Sequence, residues 1–264
     1  MKDFNLAKQA IDAGYSVTSF NKIGSTNFEA LKEAQNNKNK HWFVSDNQLS
    51  GRGRLGRVWV SNKGNLAASL LIAQSANQEK NSILSFVAAL AVFNAIKELD
   101  KDLPLVLKWP NDILVKTNEN NGLAKLVGIL LEAKILTNGE FAIVLGFGVN
   151  IVNSPKDITY STISLAELNC NVDANILFEK LSKHWLNVYK IYNEKDGVEK
   201  ILNLWQKNAF GMEEKISIIN GAKNITGIFK NIDKTGRLVV KTNDGYEYIS
   251  AGDVHFGDAR SLKE

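Results

Sequence analysis

The chain has 264 residues, of which 44% are hydrophobic and 23% are charged. This is the composition of an ordinary soluble globular protein, and the length suits one large domain with a small one. Lys and Arg number 32 against 28 Asp and Glu, and so small an excess gives no reason to infer a nucleic-acid partner. The single cysteine, Cys170, excludes an internal disulfide framework. Without an apolar signal segment or a run long enough to span a bilayer, we expect a cytoplasmic protein with no membrane partner.

The first half of the chain predicts helices and short strands. Thr26-Asn27-Phe28-Glu29 is a capping-box pattern that predicts a helix to about Gln35. From Asn81 onward, apolar residues recur at helical spacing, which predicts a longer helix with one buried face. Two short apolar runs at 105–107 and 113–115 then predict strands.

A hairpin is the clearest pattern in the middle of the chain. Two runs rich in Ile, Leu and Val, 126–136 and 140–151, are joined around Asn138-Gly139, a typical hairpin turn. A hairpin makes its strands antiparallel, which counts against an all-parallel doubly wound sheet. Two further helices are predicted at about 174–192 and 198–208. We therefore expect an α+β fold with a mixed, largely antiparallel sheet.

The sequence changes character after about Ala209. Short alternating runs are separated by turn signals about every ten residues, which predicts a small β-barrel. We expect a domain boundary near 208–211, with a larger domain at 1–208 and the barrel at 209–264. Such a barrel could bind RNA, but it lacks the aromatic and basic stripe of a stacking platform. A docking or support role is therefore favoured.

Residues 51–57 read Gly-Arg-Gly-Arg-Leu-Gly-Arg, a segment that we call the Gly-Arg loop. Glycines let the backbone approach a ligand closely, and arginines bring permanent cations that suit a phosphate or a carboxylate. The spacing also satisfies the dinucleotide fingerprint Gly-x-Gly-x-x-Gly. That fingerprint needs a helix directly afterwards, whereas residues 58–60 are strand-like. By itself, the loop could equally be a flexible basic surface loop.

Four other segments place polar side chains at strand ends or at a helix start. Lys108 to Asp112 surrounds a proline turn, and Gly146 to Asn150 ends a strand. Lys125 precedes a strand that Gly128 interrupts, which suggests a bulge or a close backbone approach. Ser25-Thr26 lies at a helix N-terminus, whose N–H groups suit a small polar ligand. Each segment also has a plain structural explanation as a turn, a solvated lysine, a bulge or a helix cap.

Taken in order, these segments together with Gln48 resemble the biotin protein ligases over about residues 22–151. The Gly-Arg loop followed by Trp59 is specific in combination with Lys-Trp-Pro-Asn-Asp at 108–112. The resemblance implies a catalytic domain of the class II synthetase and biotin/lipoate ligase type, followed by a small SH3-like barrel. It also implies a two-step reaction in which biotin and ATP, with Mg²⁺, form biotinyl-5′-adenylate. Biotin then passes to a lysine of a biotin carboxyl carrier protein, such as that of acetyl-CoA carboxylase.

The resemblance also assigns roles to individual residues. Lys125 would contact the biotin carboxylate and the α-phosphate, and Asp112 would assist the acceptor amine or position metal and phosphate. The expected catalytic residues are Lys125, Arg52, Arg54 and Asp112. The residues expected to bind biotin are Ser25, Thr26, Asn27, Gln48, Gly51, Arg52, Gly53, Arg54, Lys125 and Gly128. Those expected to bind ATP or the adenylate are Arg54, Arg57, Trp59, Lys108, Asn111, Lys125, Gly148 and Asn150.

The chain departs from the family pattern in three places. The connection from Val115 to Lys125 is a few residues longer than usual. Val127 occupies a position where a small residue is common, which would narrow the pocket. Only 24 residues precede Ser25, too few for the winged-helix DNA-binding domain of some family members, so we expect a ligase without a DNA partner.

Alternatives stay open at this point. A lipoate ligase uses the same adenylation chemistry, and the arginine-rich loop with the Trp-Pro-Asn-Asp block is what favours biotin. Octanoyl transfer through an acyl-enzyme would need Cys170, which lies outside every motif. A nucleic-acid-binding module would show salt-sensitive binding of oligonucleotides. Hydrolase and zinc chemistry are disfavoured, because there is no Gly-x-Ser-x-Gly elbow and the three histidines are far apart. Whether the protein is a monomer or a homodimer is left open.

Overall fold

The computed structural model describes residues 3–36, 38–74, 81–117, 122–136, 139, 141–156, 159–220 and 223–256. Asn138 of the predicted hairpin turn therefore lies outside the described residues. Among the helices in these ranges, none has the length and apolar character needed to cross a membrane.

The first part of the chain forms a central sheet and a small separate hairpin. Its strands are β1 (Ser16–Phe20), β2 (His41–Ser45), β3 (Gly51–Arg52), β4 (Val58–Trp59), β5 (Leu66–Gln74), β6 (Leu105–Lys108), β7 (Asp112–Lys116), β8 (Leu123–Ile135) and β9 (Phe141–Val149). The central sheet has seven strands in the order β1-β2-β5-β9-β8-β7-β6, and β3 pairs with β4 alone. β1 and β2 are parallel, while the other neighbouring strands of the sheet are antiparallel. The predicted α+β class and the β8–β9 hairpin are confirmed.

Helices cover both faces of the central sheet. The described helices are α1 (Lys8–Asp12), α2 (Thr26–Glu33), α3 (Leu84–Leu99), α4 (Ala174–Tyr192) and α5 (Gly197–Gln206). Alternate strand residues point to opposite faces, so Trp42 and Val44 join the main core with α3 and α4. Phe43, between them, packs in a smaller cluster with Ala30 of α2. The predicted strands at 105–107 and 113–115 and the helix at 174–192 are confirmed.

Helix α2 begins where the sequence predicted but is capped differently. Its N-cap is Ser25, whose Oγ accepts a hydrogen bond from the backbone N–H of Phe28 at 3.3 Å. The capping box that we expected to begin at Thr26 is not formed. The reason is tertiary: the Thr26 hydroxyl is buried and lies 3.2 Å from Gln48 Oε1.

The C-terminal part forms a second antiparallel sheet. Its strands are β10 (Lys215–Asn220), β11 (Lys223–Ile232), β12 (Leu238–Thr242), β13 (Gly245–Ile249) and β14 (Asp253–Phe256). They lie in the order β13-β12-β11-β10-β14. Within the ranges given above, no pairing joins the outer strands β13 and β14, so the predicted barrel is an antiparallel sheet without closure. Trp109 Nε1 donates to the carbonyl of Gly236 at 3.1 Å, which ties this sheet to the Lys108–Asp112 turn.

Candidate active site

A cavity of about 620 Å³ opens where the central sheet, the β3–β4 hairpin and strand β14 meet. All but two of the predicted site residues line it: Ser25, Thr26, Asn27, Gln48, Arg52, Gly53, Arg54, Arg57, Trp59, Lys108, Asn111, Asp112, Lys125, Gly128 and Gly148. Gly51 and Asn150 lie outside the lining. Segments that lie far apart in the sequence, from Ser25 to Gly148, therefore meet at one cavity.

Uncharged hydrogen-bonding groups line the cavity at the start of α2. The backbone N–H of Thr26 donates to Gln48 Oε1 at 2.9 Å. Ser69, which no sequence motif included, is not itself a lining residue. Its Oγ lies 2.7 Å from Thr26 Oγ1 and also contacts Asn27 Oδ1. All four side chains are buried. Buried polar groups held in this way can orient a neutral polar ligand group.

Glu132 connects this end of the cavity to the Gly-Arg loop. Its Oε2 accepts a hydrogen bond from Asn27 Nδ2 at 2.8 Å, and its Oε1 lies 3.3 Å from Arg52 Nη2. The Arg52 side chain is 46% exposed, so this ion pair contributes little to stability. Its guanidinium can therefore turn to an anion in the cavity at little cost.

The ring of Trp59 lies against two glycines that face each other in the β8–β9 register, Gly128 and Gly148. A Cβ on Gly128 would lie 2.8 Å from Trp59 Cζ3, and a Cβ on Gly148 would lie closer still to the ring. Both positions therefore need glycine if the indole is to approach the sheet. The close approach predicted at Gly128 is confirmed, while the irregularity in β8 falls at Leu126.

The Gly-Arg loop is a hairpin with a short 3₁₀ turn at Arg54–Gly56. Leu55 and Gly56 have positive φ angles of 55° and 74°, a conformation that glycine adopts easily and leucine rarely. The N–H of Gly53 donates to the carbonyl of Arg57 at 2.7 Å and closes the turn. No α-helix begins here, so the dinucleotide fingerprint lacks its required structure.

Arg54 lies beside Asn111 at the cavity wall. Its Nη1 donates to Asn111 Oδ1 at 3.4 Å, and Asn111 Nδ2 donates in turn to the carbonyl of Ile129. Burial lowers the pKa of Arg54, against the opposing effect of Asp112. The guanidinium stays charged at neutral pH, because arginine side chains are not deprotonated in proteins. It is thus a cation that lacks full hydration.

Lys125 and Asp112 form an ion pair with 2.8 Å between Nζ and Oδ1, and both side chains are less than a fifth exposed. Lys108 also lines this wall. Burial holds the pKa of its ammonium group below the ordinary value, although Asp112 acts in the opposite direction. The cavity lining contains five Lys or Arg residues against two Asp. Such a positive, partly desolvated surface suits a phosphate or carboxylate.

The two predicted residues outside the lining support it from behind. Asn150 is buried, and its Nδ2 donates to the carbonyls of Lys125 at 3.4 Å and Ile163 at 3.3 Å. Gly51 pairs with Trp59 in the β3–β4 hairpin, where an added Cβ would lie closest to the Trp59 carbonyl oxygen and 2.7 Å from Gln48 Nε2. Neither position faces the cavity directly.

Comparison with known proteins identifies the family. Residues 14–150, more than half of the chain, match the Biotin/lipoate A/B protein ligase family, and residues 213–257 match the Biotin protein ligase C terminal domain. A biotin--[acetyl-CoA-carboxylase] ligase from Paracoccus denitrificans is 33% identical over 240 residues, which cover 88% of this chain and 97% of that protein. The chain belongs to the biotin protein ligase family. The resemblance inferred from the motifs is confirmed, and with it the assignment as an enzyme.

A second relative and a solved structure agree with this family assignment. A bifunctional ligase/repressor BirA from Bacillus subtilis is 31% identical over 89% of this chain and 72% of its own length. The solved biotin protein ligase from Aquifex aeolicus in complex with biotin and ATP has a TM-score of 0.76 at 26% identity. That match covers 92% of this chain and 99% of the other, which confirms the fold.

The biotin protein ligase motifs do not account for the whole cavity. Residues 159–161 and 252–256 also line it, and no local pattern marked either segment. Arg57 forms an ion pair with Asp253 of β14. Burial would raise the pKa of Asp253, but the hydrogen bond from Arg57 keeps it below its ordinary value. The C-terminal sheet therefore contributes directly to the cavity wall.

Glu167 fastens the chain on both sides of residues 159–161. Its Oε2 accepts hydrogen bonds from Ser154 Oγ at 2.8 Å and from the N–H and hydroxyl of Ser164 at 2.9 and 2.7 Å. Lys156 Nζ lies 2.5 Å from Oε1. Burial alone would raise the pKa of Glu167, but these partners lower it from 4.5 to about 2.

Replacing Glu167 with glutamine is expected to lower the free energy of unfolding at pH 7 by about 1–2 kcal/mol, a value reduced for the partial exposure of the carboxylate. A carboxyl with a depressed folded pKa stabilises the protein above its unfolded pKa and loses that effect as the pH falls. The difference between wild type and variant should therefore shrink between pH 4.5 and about 2. Urea unfolding from pH 7 to about 3 measures it.

Glu194→Gln is the matched control. Among the described residues, Glu194 forms an exposed ion pair with Lys200, so its replacement should change the free energy of unfolding by less than about 1 kcal/mol. A Glu167→Gln difference that stays constant from pH 7 to about 3 would contradict the linkage.

Proposed function

We propose that the protein forms biotinyl-5′-adenylate and pyrophosphate from biotin and ATP, and then transfers biotin to one lysine of a biotin carboxyl carrier protein. The observation that carries this proposal is the composition of the cavity. Buried hydroxyl and amide groups at Thr26 and Gln48 line the cavity next to a cationic wall that contains Lys125 and Arg54, and Ser69 supports Thr26 from outside the lining. Biotin has a neutral ureido group at one end and a carboxylate at the other, so it matches both parts.

The chemistry of adenylation explains the cationic wall. Attack of a carboxylate on the α-phosphate of ATP brings negative charges together and needs no nucleophile from the enzyme. Fixed cations at the point where charge accumulates stabilise that transition state. Lys125 and Arg54 are suited to this role because both are partly desolvated and anchored by neighbours, Asp112 and Asn111 respectively.

We propose the following roles for the lining. Ser25, Thr26 and Gln48 bind the ureido group. Lys125 contacts the biotin carboxylate and the α-phosphate, and Arg52 and Arg54 close over the adenylate. The remaining roles follow the same division: Asn27, Gly53, Gly128 and Gly51 shape the biotin side, while Arg57, Trp59, Lys108, Asn111, Gly148 and, through the Lys125 carbonyl, Asn150 shape the adenylate side.

Asp112 would orient Lys125 first and meet the acceptor amine in the second step. Mg²⁺ would enter on the phosphates of ATP, where it neutralises their charge. In the part of the chain that the structure describes, no cluster of three His, Cys, Asp or Glu side chains could hold a metal ion. Asp112 is the carboxylate next to Lys125, so it is the side chain best placed to contact a phosphate-bound ion.

We also propose the division into a catalytic domain at 1–208 and a C-terminal domain at 209–264. It is supported by the end of α5 at Gln206 and the start of β10 at Lys215, which begins the second sheet. A cytoplasmic location accords with the single cysteine. We also propose that DNA takes no part in the reaction.

Pyrophosphate exchange tests the proposed function directly. ATP–pyrophosphate exchange is measured with biotin, lipoate and octanoate at equal concentrations, followed by transfer to a purified carrier domain and to its Lys→Arg variant. Biotin should support exchange, and only the carrier with its lysine should be labelled. Exchange with lipoate and none with biotin would overturn the proposal in favour of a lipoate ligase.

Octanoyl transfer is a less suitable function for this cavity. It would need a cysteine at the reaction centre, and Cys170 is not among the lining residues. Burial also raises the pKa of the Cys170 thiol, which disfavours the reactive thiolate.

A further inference from the structure

The ammonium group of Lys125 lies between two aromatic rings. Its Nζ is 5.6 Å from the ring centroid of Trp59 and 5.5 Å from that of Tyr160. Asp112 Oδ1 lies on a further side, at 2.8 Å. A cation within about 6 Å of a ring centroid is attracted by the negative face of the ring. Trp59 belongs to a recognised motif, whereas Tyr160 comes from a segment that no motif covers.

The backbone holds Tyr160 next to Lys125. The N–H of Lys125 donates to the carbonyl of Ser161 at 2.8 Å, and the N–H of Ile163 donates to the carbonyl of Lys125 at 3.1 Å. Lys125 and Thr162 thus form a parallel β-bridge. The position of Tyr160 relative to Lys125 is therefore set by paired main-chain groups and does not depend on ring contact alone.

The same segment is fastened further along the chain. Asn150 donates to the carbonyls of both Lys125 and Ile163, so it connects the two bridged strands. Glu167 binds Ser154 and Ser164, which flank the segment on either side. A ring attached to so constrained a backbone can limit the movement of the lysine at small entropic cost.

We propose that Tyr160 is a positioning residue for Lys125, and that its ring keeps the ammonium group directed at the reacting phosphate. This inference rests on the proposed function of Lys125 in adenylation. A lysine side chain has several rotatable bonds and is strongly hydrated in water. Tyr160 lines the cavity, and its ring centroid lies 5.5 Å from Lys125 Nζ, so the ring limits the positions open to the ammonium group. The ring face carries the effect, and the hydroxyl does not.

Tyr160→Leu should lower the rate of biotin-dependent pyrophosphate exchange about 10-fold, the scale of a desolvated cation–π contact. Tyr160→Phe keeps the ring and should stay within about 2-fold of wild type. The matched control is Tyr246→Leu, because Tyr246 is similarly exposed, at 56% against 45% for Tyr160, and does not line the cavity. Thermal unfolding of each variant separates a folding defect from a catalytic one.

A double-mutant cycle distinguishes positioning from general support. Tyr160→Leu should cost about 10-fold with Lys125 present and less than about 2-fold in a Lys125→Ala background. An equal loss in both backgrounds would overturn the role. Absence of biotin-dependent exchange in the wild type would overturn the proposed function itself. Normal wild-type exchange with an unchanged Tyr160→Leu rate would overturn only the inference about Tyr160.

Discussion

Replacing Lys125 with alanine is expected to lower biotin-dependent ATP–pyrophosphate exchange by about 10²–10³-fold, the usual loss for one donor to a transition-state charge. Lys125 Nζ is the cation that Asp112, Trp59 and Tyr160 hold at the cavity wall. Without it, negative charge on the α-phosphate would develop beside an unpaired Asp112. The carboxylate would then repel the reacting groups as well as fail to stabilise them.

Two controls accompany the Lys125 variant. Lys134→Ala removes a lysine from the same strand, β8, outside the cavity lining, and should leave exchange within about 2-fold of wild type. Thermal unfolding reports whether the unpaired Asp112 destabilises the fold. Near-normal exchange by a folded Lys125→Ala protein would contradict the proposed role of this lysine.

Replacing Arg54 with glycine is expected to release biotinyl-adenylate about 10–100-fold faster, because a hydrogen bond to a charged group contributes about 1.5–3 kcal/mol. Arg54 lies on the Gly-Arg loop, and its guanidinium is oriented by Asn111. A second glycine beside Gly53 would also make the loop more mobile. The reactive anhydride would then escape before a carrier lysine arrives.

The release rate is measured by loading the enzyme with biotin and labelled ATP and then trapping free adenylate. A protein without a carrier domain, present during the reaction, should become biotinylated on its exposed lysines. Arg54→Lys keeps one positive charge but loses the planar fork, so it should release adenylate at an intermediate rate. Arg237→Ala, which removes a guanidinium outside the lining, should behave as wild type. Labelling confined to the carrier by Arg54→Gly would contradict this role.

Several elements of the fold followed from local patterns in the sequence. The helix at 174–192 has a complete apolar stripe, and the hairpin at 126–151 has two runs rich in Ile, Leu and Val around a turn. Their periodicity depends on backbone geometry alone, so it can be read from one sequence. The capping of α2 by Ser25 could not be predicted in this way, because the alternative cap, Thr26, is occupied by Gln48 from a distant segment.

The motif residues were identifiable for a similar reason. Folding alone rarely requires the residue types found in these motifs. Examples are the glycines at 128 and 148, the arginines of the Gly-Arg loop and the polar residues of the Lys108–Asp112 turn. Their order along the chain carried the family resemblance. The contacts of these residues could not be predicted from the sequence, since the type of a residue does not specify which distant residues it contacts.

The sequence by itself therefore determined the fold class, the family and 15 of the 33 residues that line the cavity, because each is encoded in local residue patterns and their order. Only the tertiary structure decided how the cations are held. It places Lys125 between Asp112, Trp59 and Tyr160, and it brings Asp253 to Arg57 across 196 residues of sequence. Those contacts arise from packing between distant segments, which leaves no periodic or local signal in the chain.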